Sequence, residues 1–215
     1  MNYMKINSIH RLSNTGSLVR NKFYESAHGG NLLSAFSLVD DLIPDFNRFN
    51  LLSAFICPVQ KFSGNKIPLA LASRIVQNSD SVLFDTVFLR TERPGTKMID
   101  RMFFQPEFTG KVIPGKYILV DDVFTTGITL KGLKTFIENN GGDVVSAYTL
   151  GSSKSTLFET SRLQLRILKG RYPEVDKYFD TSLLTIVQME YLLKFNSIKY
   201  LNILYSENHY KKQFC

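Results

Sequence analysis

The chain has 215 residues, of which 44% are hydrophobic, and its formal net charge is +7. This hydrophobic content excludes a disordered chain, and no apolar run approaches the ~18 residues of a membrane span. The length suits one domain of roughly 150 residues with an appendage. The positive charge favours an anionic ligand and also leaves nucleic acid open as a partner.

The N-terminal sequence and the cysteine content indicate a cytoplasmic protein. MNYMKINSIHRL has no apolar h-region of a signal peptide. Two cysteines, Cys57 and Cys215, form no disulfide framework, which fits a reducing compartment. The three histidines show no metal-ligand spacing.

The first fifty residues alternate polar turns with short apolar segments. Leu32 to Leu42 is predicted to be a helix with Leu32, Leu33, Phe36 and Val39 on one face. Leu51 to Pro58 is the first clear strand, and a helix is predicted to open at Pro68, a residue suited to a first helical position. The loop between them, Val59 to Lys66, is basic and contains a glycine. It suits an anion, with an ordinary basic turn as the alternative.

The sequence of Val82 to Leu89 predicts one or two short strands in this segment. Residues 90–116 then form a long basic connection, and connections of this length are usually functional or mobile. Met102, Phe103, Phe104 and Phe108 are expected to pin part of it to the core.

A buried strand at Tyr117 to Val120 is predicted to end at two adjacent carboxylates, Asp121 and Asp122. Threonines and Gly127 follow, then a helical pattern that stops at Gly141-Gly142, and another strand begins at Val144. This strand–loop–helix–strand unit is typical of a parallel sheet.

The loop between strand and helix has the chemistry of a sugar-phosphate site. A helix N-terminus offers unpaired N–H groups, and the threonines add hydroxyl donors for a phosphate. Two carboxylates about 4 Å apart repel by about 4 kcal/mol at an effective dielectric of 20, so they favour hydroxyl donors or a divalent cation. A ribose 5-phosphate supplies both a diol and a phosphate.

The segment VDDVFTTGIT, residues 120–129, resembles the phosphoribosyl-pyrophosphate (PRPP) motif of type I phosphoribosyltransferases. The alternative is an ordinary strand-to-helix turn. The resemblance covers about residues 51–168 and implies a doubly wound, mainly parallel α/β sheet. It also implies that a nitrogen nucleophile displaces pyrophosphate from PRPP. Mg²⁺ would be held through the ligand, and Asp121 and Asp122 could contact it as well.

The resemblance also implies roles for single residues. Asp121 and Asp122 would act as the catalytic carboxylates on the ribose diol. The ribose 5-phosphate would bind to Thr125, Thr126, Gly127, Ile128 and Thr129. Pyrophosphate would bind to Lys61, Gly64, Asn65, Lys66, Arg90 and Lys97. No general base and no acceptor can be assigned.

The order of the first strand, its basic loop and the following Leu-Ala pairs also resembles the ComF-like branch, which is associated with competence for DNA uptake. The loop KFSGNK departs from that branch's Arg-Gly-Phe-Asn loop, and the cysteine-rich zinc module is missing from this sequence. A non-catalytic accessory module in competence or defence, with a protein or nucleic-acid partner, is therefore the alternative function.

The C-terminal part changes in character. Leu163 to Leu168 is interpreted as a further strand, and two helices are predicted over Ser182–Phe195 and Ile198–Tyr205. We divide the chain into an N-terminal or hood segment, 1–50, a core, 51–168, and a helical extension, 169–215. The extension could dock on the core, form a homo-oligomer, or bind a protein or nucleic-acid partner.

Overall fold

The computed structural model describes residues 4–11, 17–43, 53–60, 64–91, 106–152, 162–177, 181 and 184–194. The strands are β1 Lys5–Arg11, β2 Phe55–Pro58, β3 Val82–Leu83, β4 Val87–Leu89, β5 Phe108–Gly110, β6 Gly115–Phe124 and β7 Gly142–Ser152. The helices are α1 Ser17–Gly29, α2 Leu32–Leu42, α3 Ile67–Gln77, α4 Ile128–Asn139, α5 Arg162–Arg171 and α6 Ile186–Leu192, with a 3₁₀ turn at Val175–Lys177.

Five strands form a parallel sheet in the order β1-β7-β6-β2-β3, while β4 and β5 form a separate antiparallel pair. The central strand β6 pairs with β2 from Phe55–Tyr117 to Pro58–Val120. At the other edge, β1 pairs with β7. This strand lies within residues 1–50, which the sequence analysis set apart from the core, and it extends the same sheet.

Helices cover both faces of the sheet. On one face, Leu130, Leu133 and Ile137 of α4 pack with Leu119 of β6. On the other face, α2 and α3 pack against Ile118 and Val120. Each such side chain contributes about 1.5–3 kcal/mol on burial. The predicted doubly wound, mainly parallel α/β fold is therefore confirmed.

Several boundaries agree with the sequence patterns. Helix α2 has the predicted bounds, and α3 begins at Ile67 with Pro68 in its first turn. Helix α4 ends before Gly141, whose φ of +91° is the left-handed conformation that commonly terminates helices. The two short strands β3 and β4 fall within Val82 to Leu89 as predicted.

The prediction for the inner face of α2 is right for Val39, which is buried, and for Phe36, which packs partly buried on the core, but wrong for the first turn. Leu33 is 77% exposed and Leu32 is 39% exposed. Ala35 and Leu38 are buried in their place, because they lie on the face that packs with α3.

The strand predicted at Leu163 to Leu168 is also wrong, since these residues lie in helix α5. The alternation of leucine with polar residues is typical of a strand, but the residues that pack inward, Leu165, Leu168 and Tyr172, are three and four positions apart. That spacing places them on one helical face.

The C-terminal helices form a cluster of their own. Its buried members are Leu168, Tyr172, Val175, Leu184, Met189 and Leu192. Helix α6 falls within the predicted Ser182–Phe195 and begins with a capping box formed by Thr185 and Gln188. The predicted helix at Ile198–Tyr205 and the aromatic group Met102 to Phe104 lie outside the described residues. Phe108, predicted to contact the core, is half-buried against it.

Candidate functional site

The two carboxylates lie within β6, not after it. The sequence pattern ended this strand at Val120, but β6 continues to Phe124 by pairing with β7 through Asp121–Thr149 and Phe124–Ser152. The prediction was wrong because paired neighbours, not apolar content alone, determine where a strand ends. Asp121 and Asp122 are 3% and 6% exposed, respectively.

Asp122 lies near the end of β6 and faces the start of α3. Its carboxylate reaches Asn65, the residue two positions before the first residue of α3.

Asp122 is held by two hydrogen bonds at its side chain. Its Oδ1 accepts from the backbone N–H of Val123 at 2.6 Å, and its Oδ2 accepts from Nδ2 of Asn65 at 2.5 Å. The Asp121 Oδ1 accepts from the backbone N–H of Asp122 at 2.9 Å. Both carboxylates are therefore oriented by donors, as hydrogen-bonded anions are.

The turn after β6 leads directly into α4. Gly127 is the residue before the helix and has φ +77°, a conformation that glycine adopts without steric cost. Gly127 has no side chain with which to cap this helix end. Thr126 and Thr129 are buried at 3% and 8% exposure. The Thr126 Oγ1 is 3.4 Å from the N–H of Ile128, a long hydrogen bond.

The predicted 5-phosphate residues, Thr125 to Thr129, thus occupy one continuous turn and the first residues of α4. The first four N–H groups of a helix have no partner within the helix. Together with the positive end of the helix dipole, they favour an anion at this position.

The basic loop after β2 approaches the same end of the sheet. Gly64 is exposed with φ +91°, and Lys66 is half-buried at the start of α3. The Asn65–Asp122 hydrogen bond joins this loop to β6. Lys61 lies outside the described residues.

Arg90 is exposed directly after β4, and its backbone N–H donates to the carbonyl of Glu107 at 2.8 Å. The neighbouring Leu89 N–H donates to the carbonyl of Gln60, which ties β4 to the residue range that follows β2. Lys97 lies outside the described residues.

Thr149 on β7 was not predicted as a site residue. This residue is fully buried, and its hydroxyl has no hydrogen-bond partner in the described part of the chain. It lies in register with Asp121 of β6 and with Ser8 of β1. The signal was a pair of small polar residues, Ser146 and Thr149, inside the run Val144 to Leu150, which the pattern treated as a uniform strand.

Cys57 of β2 pairs with Leu119 of β6 and is fully buried. Burial raises the pKa of its thiol far above the ordinary value, and the nearby carboxylate of Asp85 raises it further. Cys57 therefore stays a thiol and is not a nucleophile.

The described residues contain no group of three or more His, Cys, Asp or Glu side chains that could hold a metal by themselves. Mg²⁺ is commonly held by one or two carboxylates together with substrate phosphates. The pair Asp121 and Asp122 fits that second arrangement. In the same described ranges, no helix has the length and apolar character needed to cross a membrane.

No family model matches the chain. A curated relative, protein TraN of Escherichia coli, is 32% identical over an alignment of 160 residues that covers 68% of this chain. The match covers 36% of TraN, so the chain spans about a third of the length of this curated relative.

Solved structures with a similar arrangement include three enzymes. Orotate phosphoribosyltransferase from Aeropyrum pernix is 22% identical, with 57% of this chain and 62% of that chain covered and a TM-score of 0.31. Purine phosphoribosyltransferase from Pyrococcus horikoshii is 13% identical, with coverages of 71% and 88% and a TM-score of 0.33. UMP synthase from Leishmania donovani is 12% identical, with coverages of 84% and 43% and a TM-score of 0.39. All three TM-scores are below 0.5, so we draw no functional conclusion from these likenesses.

Proposed function

We propose that the chain binds PRPP at the carboxyl end of β6 and transfers its phosphoribosyl group to a nitrogen nucleophile. The observation that supports this most strongly is the placement of a held carboxylate, Asp122, five residues before Gly127, the left-handed glycine at which the α4 N-terminus begins. A carboxylate suits a sugar diol, and a helix N-terminus suits a phosphate.

In this proposal the 5-phosphate lies against the N–H groups at the start of α4. Gly127 lets the phosphate approach the backbone, and the hydroxyls of Thr125, Thr126 and Thr129 add donors. Asp121 and Asp122 accept hydrogen bonds from the ribose hydroxyls. The ribose hydroxyls thus face negative carboxylates, and the phosphate faces the positive end of the α4 dipole. This difference fixes the direction in which ribose 5-phosphate binds.

The pyrophosphate group would be bound by the basic loop, including Lys61, Gly64 and Lys66, together with Arg90 and Lys97. Mg²⁺, when bound with PRPP, would offset the negative charge of the pyrophosphate and would contact Asp121 and Asp122. In this arrangement the metal site is complete only when phosphate oxygens of the ligand take part.

The reaction breaks the bond between C1 of the ribose and the pyrophosphate oxygen, and the bonding electrons leave with pyrophosphate. A bond between C1 and the acceptor nitrogen forms, and the nitrogen gives its proton to water. Positive charge develops on the sugar ring as the first bond breaks. Carboxylates held next to the ring stabilise that charge without needing to reorient, which is electrostatic preorganisation.

Release of pyrophosphate from PRPP in the presence of Mg²⁺ and a panel of nitrogen bases tests this function. We expect one or more bases to give turnover, and Thr126→Val to lower kcat/KM by about tenfold, the effect of losing one hydrogen bond of about 1.4 kcal/mol. Thr135→Val is the matched control, because Thr135 lies within α4 and outside the turn, and this variant should keep wild-type kinetics. Silence across the panel despite PRPP binding would contradict the catalytic function.

A further inference from the structure

Asn65 uses both ends of its side-chain amide within the protein. Its Oδ1 accepts from the backbone N–H of Ile67 at 2.9 Å, and its Nδ2 donates to Oδ2 of Asp122 at 2.5 Å. A backbone N–H can only donate, so the amide atom facing it must be the oxygen. This fixes the amide orientation and turns the NH₂ group toward Asp122.

Asn65 is rigidly anchored on the α3 side. Its partner Ile67 is the first residue of α3 and is buried in the core cluster that α3 forms with α2 and β6, and the next residue, Pro68, is buried as well. An asparagine oxygen that accepts from the N–H two residues later forms a tight local turn. The side-chain amide of Asn65 is therefore held in one position, from which its NH₂ group donates to Asp122.

Asp122 is anchored from the other direction by the N–H of Val123 at 2.6 Å. Its carboxylate is thus held between its own strand and a residue 57 positions earlier in the chain. The Asn65–Asp122 hydrogen bond joins the loop after β2 to the end of β6, the two parts that the proposed function assigns to pyrophosphate and to ribose.

We propose that Asn65 is a positioning residue that aims the Asp122 carboxylate at the ribose, instead of a direct ligand of pyrophosphate as the sequence suggests. This inference rests on the proposed function. It makes a distinctive prediction, because a defect in aiming Asp122 must weaken every ligand that contains the ribose diol, whether or not pyrophosphate is present.

Asn65→Ser separates the two contacts. A serine oxygen can still accept from the N–H of Ile67, but it is too short to reach Asp122, and no charge is introduced. Asn31→Ser is the matched control, because the Asn31 Oδ1 accepts from the N–H of Leu33 at 2.8 Å at the start of α2. Asn31 is exposed and lies at a different helix.

The affinities of both variants for PRPP and for ribose 5-phosphate are measured by calorimetry. We expect Asn65→Ser to weaken both ligands by the same factor, about tenfold, the loss typical of a hydrogen bond to a charged group. Asn31→Ser should bind both as the wild type does. A loss confined to PRPP would identify Asn65 as a pyrophosphate ligand, and no loss for either ligand would also overturn the proposal.

A second measurement does not depend on any ligand. Asn65→Asp places two carboxylates together and should lower the midpoint of thermal unfolding. The double variant Asn65→Asp with Asp122→Asn restores the hydrogen bond with donor and acceptor exchanged, so its midpoint should recover. Ribose 5-phosphate binding should stay weak in the double variant because position 122 of β6 no longer carries a carboxylate. If the midpoint does not recover, the bridge is refuted; if it recovers and wild type binds no PRPP, only the proposed function fails.

Discussion

The units β2–α3 and β6–α4 both pass from a buried strand through a short loop to a helix, but the two helix starts differ. In both units a side chain two positions before the helix accepts from the first helical N–H, Asn65 from Ile67 at 2.9 Å and Thr126 from Ile128 at 3.4 Å. The second residue of α3 is Pro68, which has no N–H group, whereas the second residue of α4 is Thr129, which has one. Helix α4 also begins after Gly127 in a left-handed conformation.

This difference separates two tasks that look alike in sequence. The start of α3 leaves fewer N–H groups for a ligand, and its loop can brace its surroundings through Asn65. The start of α4 has only a long bond to Thr126 and more N–H groups without a partner within the helix. We infer that the first unit holds the site in shape and that the second unit binds the phosphate.

Asp122→Asn should have the largest effect on binding, because it removes the charge that both units converge on. We expect affinity for ribose 5-phosphate to fall by about 100-fold, which corresponds to about 2.7 kcal/mol. Calorimetric titration measures this loss. Asp143→Asn is the control, since Asp143 is an exposed carboxylate near the opposite end of β7. Equal affinities for Asp122→Asn and wild type would remove Asp122 from the site.

Gly127→Ala should test the open helix end, and Gly141→Ala serves as its counterpart at the other end of α4. Both glycines have positive φ, of +77° and +91°. Each alanine should therefore lower the free energy of unfolding by about 1–2 kcal/mol. Only Gly127→Ala should also weaken ribose 5-phosphate binding. Denaturant unfolding and titration of the two variants measure these effects, and a similar loss of affinity in both would contradict a phosphate site at Gly127.

Lys131→Met should have the smallest effect. The Lys131 Nζ donates to the carbonyl of Leu184 at 3.0 Å and so ties α4 to the segment before α6. We expect a loss of about 1 kcal/mol in unfolding free energy. The control Lys134→Met removes a pair with Glu138 on the same helix and should cost about 0.3–0.5 kcal/mol. If the two variants unfold alike, the tie to the C-terminal segment contributes nothing beyond a surface pair.

The local features of the second unit could be predicted from the sequence because they depend on neighbouring residues. The glycine pair at the end of α4 and the proline at the start of α3 determine helix ends within a few positions. The full length of β6 could not be predicted, since Asp121 and Asp122 belong to the strand only through their pairing with β7.

The same limit applies to long-range contacts. The Asn65–Asp122 hydrogen bond joins residues 57 positions apart, and no local pattern specifies it. The pairing of β1 with β7 depends on the opposite end of the described chain. In α5 a local pattern gave the wrong element. Its alternating leucines suggested a strand, but Leu165 and Leu168 pack with Tyr172 in the spacing of a helix.

The central claim is that ribose 5-phosphate binds between Asp122 and the N-terminus of α4. Its most direct test is a titration of isotope-labelled protein with ribose 5-phosphate, followed by the amide resonances in NMR spectra. The account predicts saturable shifts at Asp122, Thr126, Gly127 and Ile128, with the amide of Gly141 at the far end of α4 unchanged. Shifts that spare the Thr126–Ile128 amides, or no saturable shift at all, would contradict it.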